Sequence, residues 1–120
     1  MGGLWSVPMR ILYKILPADQ WDAAQAVGLF TGSAVDIKDG FIHLSTAEQM
    51  RETAARHFAG QDGLMLVGFR EADLPNLKWE PSRDGDLFPH VYGAIATALA
   101  VSQDPLPLEN GLHRFPAGAA

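Results

Sequence analysis

Asp39-Gly40-Phe41-Ile42-His43-Leu44-Ser45-Thr46-Ala47-Glu48-Gln49 reads as a turn, a short strand and the start of a helix. Asp39-Gly40 is a strong turn dipeptide. The residues after it alternate in strand fashion, placing Ile42 and Leu44 on one face and Phe41, His43 and Ser45 on the other. The apolar pair belongs to a core. The opposite face carries an imidazole and a hydroxyl and leads into a helix N-terminus. Ser45 with Glu48 fits a capping box, and Thr46 with Gln49 fits the same pattern one residue later. Free N–H groups at such a terminus suit a phosphate or carboxylate. The same side chains also suffice to cap their own helix, which would leave no donor for a ligand. Both readings stay open.

Working outward, Arg10 to Leu16 reads as a strand, with Ile11, Tyr13 and Ile15 alternating against Leu12, Lys14 and Leu16. A short helix follows. Asp19 is its expected N-cap and Gly28 its stop, with Trp21, Ala24 and Val27 on the inner face. Leu29 to Lys38 reads as loop with room for a short strand. A second helix is expected from about Thr46 to Ala59, with Met50, Ala54, His57 and Phe58 as its buried stripe. His57 on that stripe reads as a core-edge histidine. Leu64 to Phe69 is an apolar run suited to a central strand. Leu77 to Glu80 and Leu87 to Tyr92 read as strands joined by the polar turn Ser82 to Asp86. Ala98 to Gln103 and Leu112 to Phe115 are the last expected strands, although the Ala-rich stretch 94–100 also suits a helix. Two early helices and a late run of short strands give an α+β class.

The 120 residues suffice for one domain, and 48% hydrophobic with 19% charged residues is an ordinary globular composition. Net charge is −5 and the pI near 5.1, with the basic residues scattered. Non-specific nucleic-acid binding needs a clustered cationic surface and is not expected. Cysteine is absent, which removes disulfides, thiolate metal sites and a cysteine nucleophile. No apolar run approaches a membrane span, so a cytoplasmic protein with no membrane partner is expected. Met1-Gly2-Gly3-Leu4-Trp5-Ser6 matches a myristoylation pattern, but Met9-Arg10 offers a more natural start before the first strand. The expected layout is a loose extension over 1–8, one domain over 9–116 and a tail over 117–120.

Trp79 to Gly93 concentrates reactive side-chain types. In an extended segment Phe88, His90 and Tyr92 share a face that could stack on a flat ring and reach sugar or phosphate oxygens. Arg83 on the preceding turn could hold a phosphate bidentately. Glu80 is a candidate acid, base or oxocarbenium stabiliser. Singly, each has a plainer role: the aromatics as core, Glu80 and Arg83 as a surface ion pair.

The two stretches together resemble the signature blocks of the DUF952 family of small bacterial proteins of unassigned function. Leu12-Tyr13-Lys14-Ile15 and the Trp21 helix fit as well, and the resemblance covers roughly 9–116. It implies an ADP-ribosyltransferase-like fold, two small mostly antiparallel sheets around a cleft, distantly related to RNA 2′-phosphotransferases that consume NAD. By that resemblance His43 would bind a ribose of NAD, with Ser45 or Thr46 beside the same ribose or a phosphate. His90 or Tyr92 would face the nicotinamide. The chain departs from those enzymes in lacking a late Glu-x-Glu or Gln-x-Glu: Glu109 is the sole acidic residue after Asp104. An arginine-rich set is also missing, so the fold can be shared without the reaction.

The expected function is an NAD-utilising or otherwise nucleotide-processing enzyme. Glu80 and His90 are its candidate catalytic residues, and His43, Ser45, Thr46, Arg83, Phe88 and Tyr92 bind the nucleotide. The alternative is a non-catalytic nucleotide or metabolite module using the same cleft. A phosphoesterase with paired H-x-[ST] motifs is disfavoured, because only His43-Leu44-Ser45 fits the motif. No metal is expected from four histidines without H-x₃-H or H-E-x-x-H spacing.

Overall fold

The computed structural model describes residues 10–82 and 85–117. Ten strands, β1 (Ile11–Pro17), β2 (Leu29–Phe30), β3 (Ile42–His43), β4 (Leu64–Arg70), β5 (Leu77–Ser82), β6 (Asp86–Val91), β7 (Ile95–Ala96), β8 (Ala100–Leu106), β9 (Leu108–Glu109) and β10 (Leu112–His113), appear among those residues. Three helices, α1 (Ala18–Val27), α2 (Ala34–Asp39) and α3 (Met50–His57), lie in the first half. The class is α+β, as the sequence suggests, with small antiparallel sheets. One sheet has the order β1-β4-β8 and a second β3-β6-β5, with two-stranded ribbons β2-β7 and β9-β10 beside them.

The two larger sheets are stitched together by one bridge. Tyr13 N–H donates to the Ser45 carbonyl at 2.7 Å, and Ser45 N–H returns a bond to the Tyr13 carbonyl at 2.8 Å. This joins β1 to the segment just after β3. Alternation along β1 then sends its two faces into two cores. Leu12 and Leu16 face Trp21, Phe30, Ile42, Val67, Phe69 and Val91 between the sheets. Tyr13 and Ile15 face Met50, Ala54, Leu66 and Leu106 under α3. Both neighbours of β4 are strands and both its faces are covered, so its sequence is an apolar run rather than an alternating one. Trp21 meets Phe30 and Phe69 edge-on, and its indole N–H donates to the Gln103 side chain at 2.9 Å.

Several expectations need correcting. The helix α1 starts one residue after Pro17, so Asp19 lies in the first turn and Pro17 takes the cap position. Val27 points outward and is 77% exposed, while Trp21 and Ala24 are buried as expected. Residues 34–38, expected as loop, form α2 together with Asp39. Asp39-Gly40, read as a turn, makes that turn at the end of α2: Gly40 has φ 88, and its N–H bonds the Asp36 carbonyl at 2.8 Å. The helix α3 begins at Met50, four residues later than expected, because 47–49 are turn. His57 is exposed rather than packed into the core edge. The stretch 94–100 divides into the short β7 and a 3₁₀ turn, Thr97–Leu99.

Candidate functional site

The site grows from α2. Asp36, in its first turn, reaches back to the start of the helix, accepting from Ser33 N–H at 2.9 Å and Ser33 Oγ at 3.0 Å. Its side chain is 1% exposed and meets Lys14 Nζ at 2.8 Å. Lys14 is buried in the middle of an apolar strand, where an unpaired ammonium would be prohibitive. It donates to both Asp36 and the His43 carbonyl. Burial by itself raises the Asp36 pKa. The bond from His43, the charge and bond of Lys14, and the Ser33 N–H outweigh it and hold the carboxyl far below its ordinary range. Burial lowers the Lys14 pKa, with Asp36 opposing the shift.

Asp36 also fixes His43. Its Oδ1 accepts from His43 Nδ1 at 2.7 Å and from the His43 backbone N–H at 3.1 Å. A carboxylate only accepts, so Nδ1 is the proton-bearing nitrogen in this bond. On the other side of the ring, Nε2 lies 2.9 Å from Asp39 Oδ2. Antiparallel pairing of β3 with β6 places His90 directly opposite His43. His90 Nδ1 bonds Glu80 Oε1 at 2.7 Å, and the Tyr92 hydroxyl donates to the same carboxylate at 2.8 and 3.0 Å. Bonds from His90 and Tyr92 hold the Glu80 carboxyl below its usual range. The Glu80 carboxylate in turn raises the Tyr92 phenol. Phe41 lies among the three rings, stacked on His90 at 4.1 Å and tilted against His43 and Tyr92 at 4.6 and 5.3 Å.

A cavity of about 580 Å³ opens between β1, α2, α3 and β6, bordered by Lys14, Asp39, His43, Ser45, Phe88 and His90 among others. His43 and His90, expected to converge, do so, and Ser45 and Phe88 border the same space. Tyr92 and Glu80 do not line it. Strand β6 ends at Val91, so Tyr92 leaves the pleat that carries Phe88 and His90. It packs on Phe41 instead. Glu80 bonds His90 Nδ1 instead. Thr46 is occupied by a capping box with Gln49: Thr46 N–H donates to Gln49 Oε1 and Gln49 N–H to Thr46 Oγ1, both at 3.1 Å. Ser45 plays no part in that cap; its hydroxyl is 2.9 Å from Thr53 Oγ1. Arg83 lies outside the described residues. His57, expected in the core edge, borders the cavity. No group of three or more potential metal ligands occurs among the described residues.

Sequence reasoning passed over Lys14 and Asp36, which hold the site together. Two signals were available. Ser33 and Asp36 have the spacing of a helix start, with Gly40 as its stop, and a lysine inside an apolar strand demands a buried partner.

Residues 15–103 match the model of a family described as "Protein of unknown function (DUF952)". The fold is similar to the crystal structure of protein CC0527 from Caulobacter crescentus, at TM-score 0.82 and 46% identity, covering 87% of this chain and 93% of that one. The solution NMR structure of CC0527 is similar at TM-score 0.77 and 47% identity, covering 85% and 90%. No curated protein matches. With the family model spanning most of its length and near-complete coverage of a close structural relative, the chain belongs to the DUF952 family.

Proposed function

We propose that the cavity is the active site of a nucleotide-processing enzyme, with NAD as the first substrate to test. The observation that carries this reading is the pair of imidazoles from opposed strands. Each has its Nδ1 tied to a carboxylate, and both border one cavity. For His90, a carboxylate that accepts from Nδ1–H fixes the tautomer and leaves Nε2 able to take or give a proton, whereas His43 Nε2 is met by Asp39. The volume lies within the range of small-molecule sites. Phe88 offers an apolar wall, and Ser45 a hydroxyl.

On an ADP-ribosyltransferase-like scaffold, which the DUF952 resemblance suggests, the reaction would break the bond between C1′ of the ribose and the nicotinamide nitrogen. The bonding electrons leave with nicotinamide, and a nucleophile adds to the oxocarbenium-like carbon. His90 Nε2 takes the proton the nucleophile gives up. His43 holds ribose or phosphate oxygens. Glu80 acts through His90 as a positioning residue, because both its oxygens are committed to His90 and Tyr92.

Incubating the protein with NAD and separating the products by chromatography tests this directly. Free nicotinamide that disappears in His90→Gln supports the enzyme. Calorimetric binding of NAD without nicotinamide release supports the non-catalytic module instead. Absence of both heat and a melting shift at millimolar NAD rules out NAD as the ligand.

A further inference from the structure

Asp39 is the one carboxylate in the cavity wall with little holding it. Asp36 accepts from Ser33, Lys14 and His43 and is almost completely buried. Asp39 is the last residue of α2, its side chain is 38% exposed, and among the described residues its only polar side-chain contact is His43 Nε2. The ring it touches, by contrast, is held firmly. Asp36 fixes Nδ1 and the backbone N–H, Lys14 binds the carbonyl, and Phe41 packs against the ring. The direction of His43 Nε2 is therefore set whether or not Asp39 is there.

The neighbouring imidazole supplies a second, independent observation. His90 is 5% exposed, its Nδ1 is committed to Glu80 outside the cavity, and its Nε2 has no hydrogen bond among the described residues. His90 borders the cavity while Glu80 does not, and with Nδ1 taken by Glu80 the ring nitrogen left for a ligand is Nε2. The two rings stand 5.4 Å apart, centroid to centroid, and Lys14 borders the same space. Asp39 supplies the acceptor at His43 Nε2, and withdrawing it leaves that nitrogen without one.

We propose that this end of the cavity receives a phosphomonoester group, and that the Asp39 carboxylate occupies its place at His43 Nε2 until the ligand displaces it. A phosphomonoester monoanion carries acceptor oxygens, suited to the His43 Nε2–H that faces Asp39, and one P–OH, which can donate to the His90 Nε2 lone pair, so a single group serves both rings. Asp39 thereby sets the selectivity of the site: it costs little to displace for an anion that engages both rings. A neutral group that engages one ring does not displace it. The proposal rests on the reading above only for the claim that the cavity holds a ligand; the anion itself follows from the His43, His90 and Asp39 geometry.

The test uses the wild-type chain and Asp39→Asn, titrated with inorganic phosphate, AMP and adenosine. Binding is read by calorimetry and by the ¹⁵N signals of the histidine rings. Expected are binding of phosphate and AMP, shifts at Nε2 of both His43 and His90, and affinity about three- to fivefold tighter in Asp39→Asn, the worth of one exposed ion pair. Phosphate binding that tightens in the variant, with AMP excluded, keeps the proposal and removes the nucleotide reading. Adenosine binding as well as AMP, with affinities unchanged in Asp39→Asn, keeps a nucleoside site and overturns the proposal. Histidine signals unmoved by all three overturn both. Asp39 is exposed and at a helix end, and unchanged melting of Asp39→Asn confirms that the variant is folded.

Discussion

His43 and His90 face one another across β3 and β6, and their rings meet edge-on with centroids 5.4 Å apart. Each has its Nδ1 bonded to its own carboxylate, His43 to Asp36 and His90 to Glu80. The two carboxylates arrive by different routes. Asp36 comes from a short helix and is sealed in the core, whereas Glu80 comes from the partner strand of the β5–β6 hairpin and is a third exposed. One histidine is therefore held by the fold as a whole and the other by a local hairpin.

That difference is testable through tyrosine. The chain has two, Tyr13 and Tyr92. Burial, with Asp104 adding to it, raises Tyr13; the Glu80 bond raises Tyr92. An ultraviolet titration of the folded wild type should place both phenols above their ordinary value of 10.0. Glu80→Gln should bring one of them back toward it and leave the other. In the same variant His90 should lose its single tautomer in ¹⁵N spectra, because an amide can accept or donate where a carboxylate only accepts. If both phenols stay raised in Glu80→Gln, the Glu80 bond is not what holds Tyr92.

Asp36 should prove far more costly to remove than Lys14. Asp36→Ala strands a buried ammonium and leaves the Ser33 and His43 donors without their acceptor, a loss of about 3–5 kcal/mol. Lys14→Met keeps an apolar side chain of similar length in an apolar strand and leaves Asp36 with its other donors. Urea unfolding of the two variants decides the matter. Equal losses would mean that Asp36 matters only through Lys14.

The same carboxylate predicts an acid limit. Its folded pKa lies below its ordinary 3.8, so the unfolded chain binds the proton first. The stabilisation is complete above about pH 5 and falls as pH drops through the unfolded value. It goes on falling until the folded carboxyl is itself protonated. Wild-type stability should therefore drop more steeply from pH 5 to pH 3 than that of Asp36→Asn, measured by urea midpoints at each pH. Parallel curves would remove Asp36 from the account.

How far the sequence discloses this site depends on which force made each element. The long strands β1, β4 and the β5–β6 hairpin follow from apolar patterning and turn chemistry, and patterning is local. The histidine face of Phe41 to Ser45 was readable for the same reason. The helix α2 is six residues long with Val35 and Ile37 exposed, so it has no apolar stripe to betray it. It is held by the Lys14 pair from a strand 22 residues earlier, a contact that no local window contains. Thr46 illustrates the converse: two overlapping capping patterns were visible, and the Tyr13–Ser45 bridge decided between them by drawing Ser45 into the sheet junction.

Gly68 gives the last prediction, one that concerns the scaffold beneath the cavity. It sits in the central strand β4, opposite Tyr13 on one side and Ser102 on the other. Its backbone is not left-handed, so the reason for glycine is space. A Cβ there would lie 2.4 Å from Ser102 Oγ and 2.9 Å from Ile11 Cγ2. The hydroxyl can rotate away, but the isoleucine methyl on β1 cannot do so without shifting its neighbours. Gly68→Ala should thus destabilise by about 1–3 kcal/mol despite the better strand propensity of alanine. Ser102→Gly in that background should recover part of the loss, and Ile11→Ala should recover more, both read as urea midpoints. Stability equal to or above wild type in Gly68→Ala would show that the two flanking strands are not packed as closely as described.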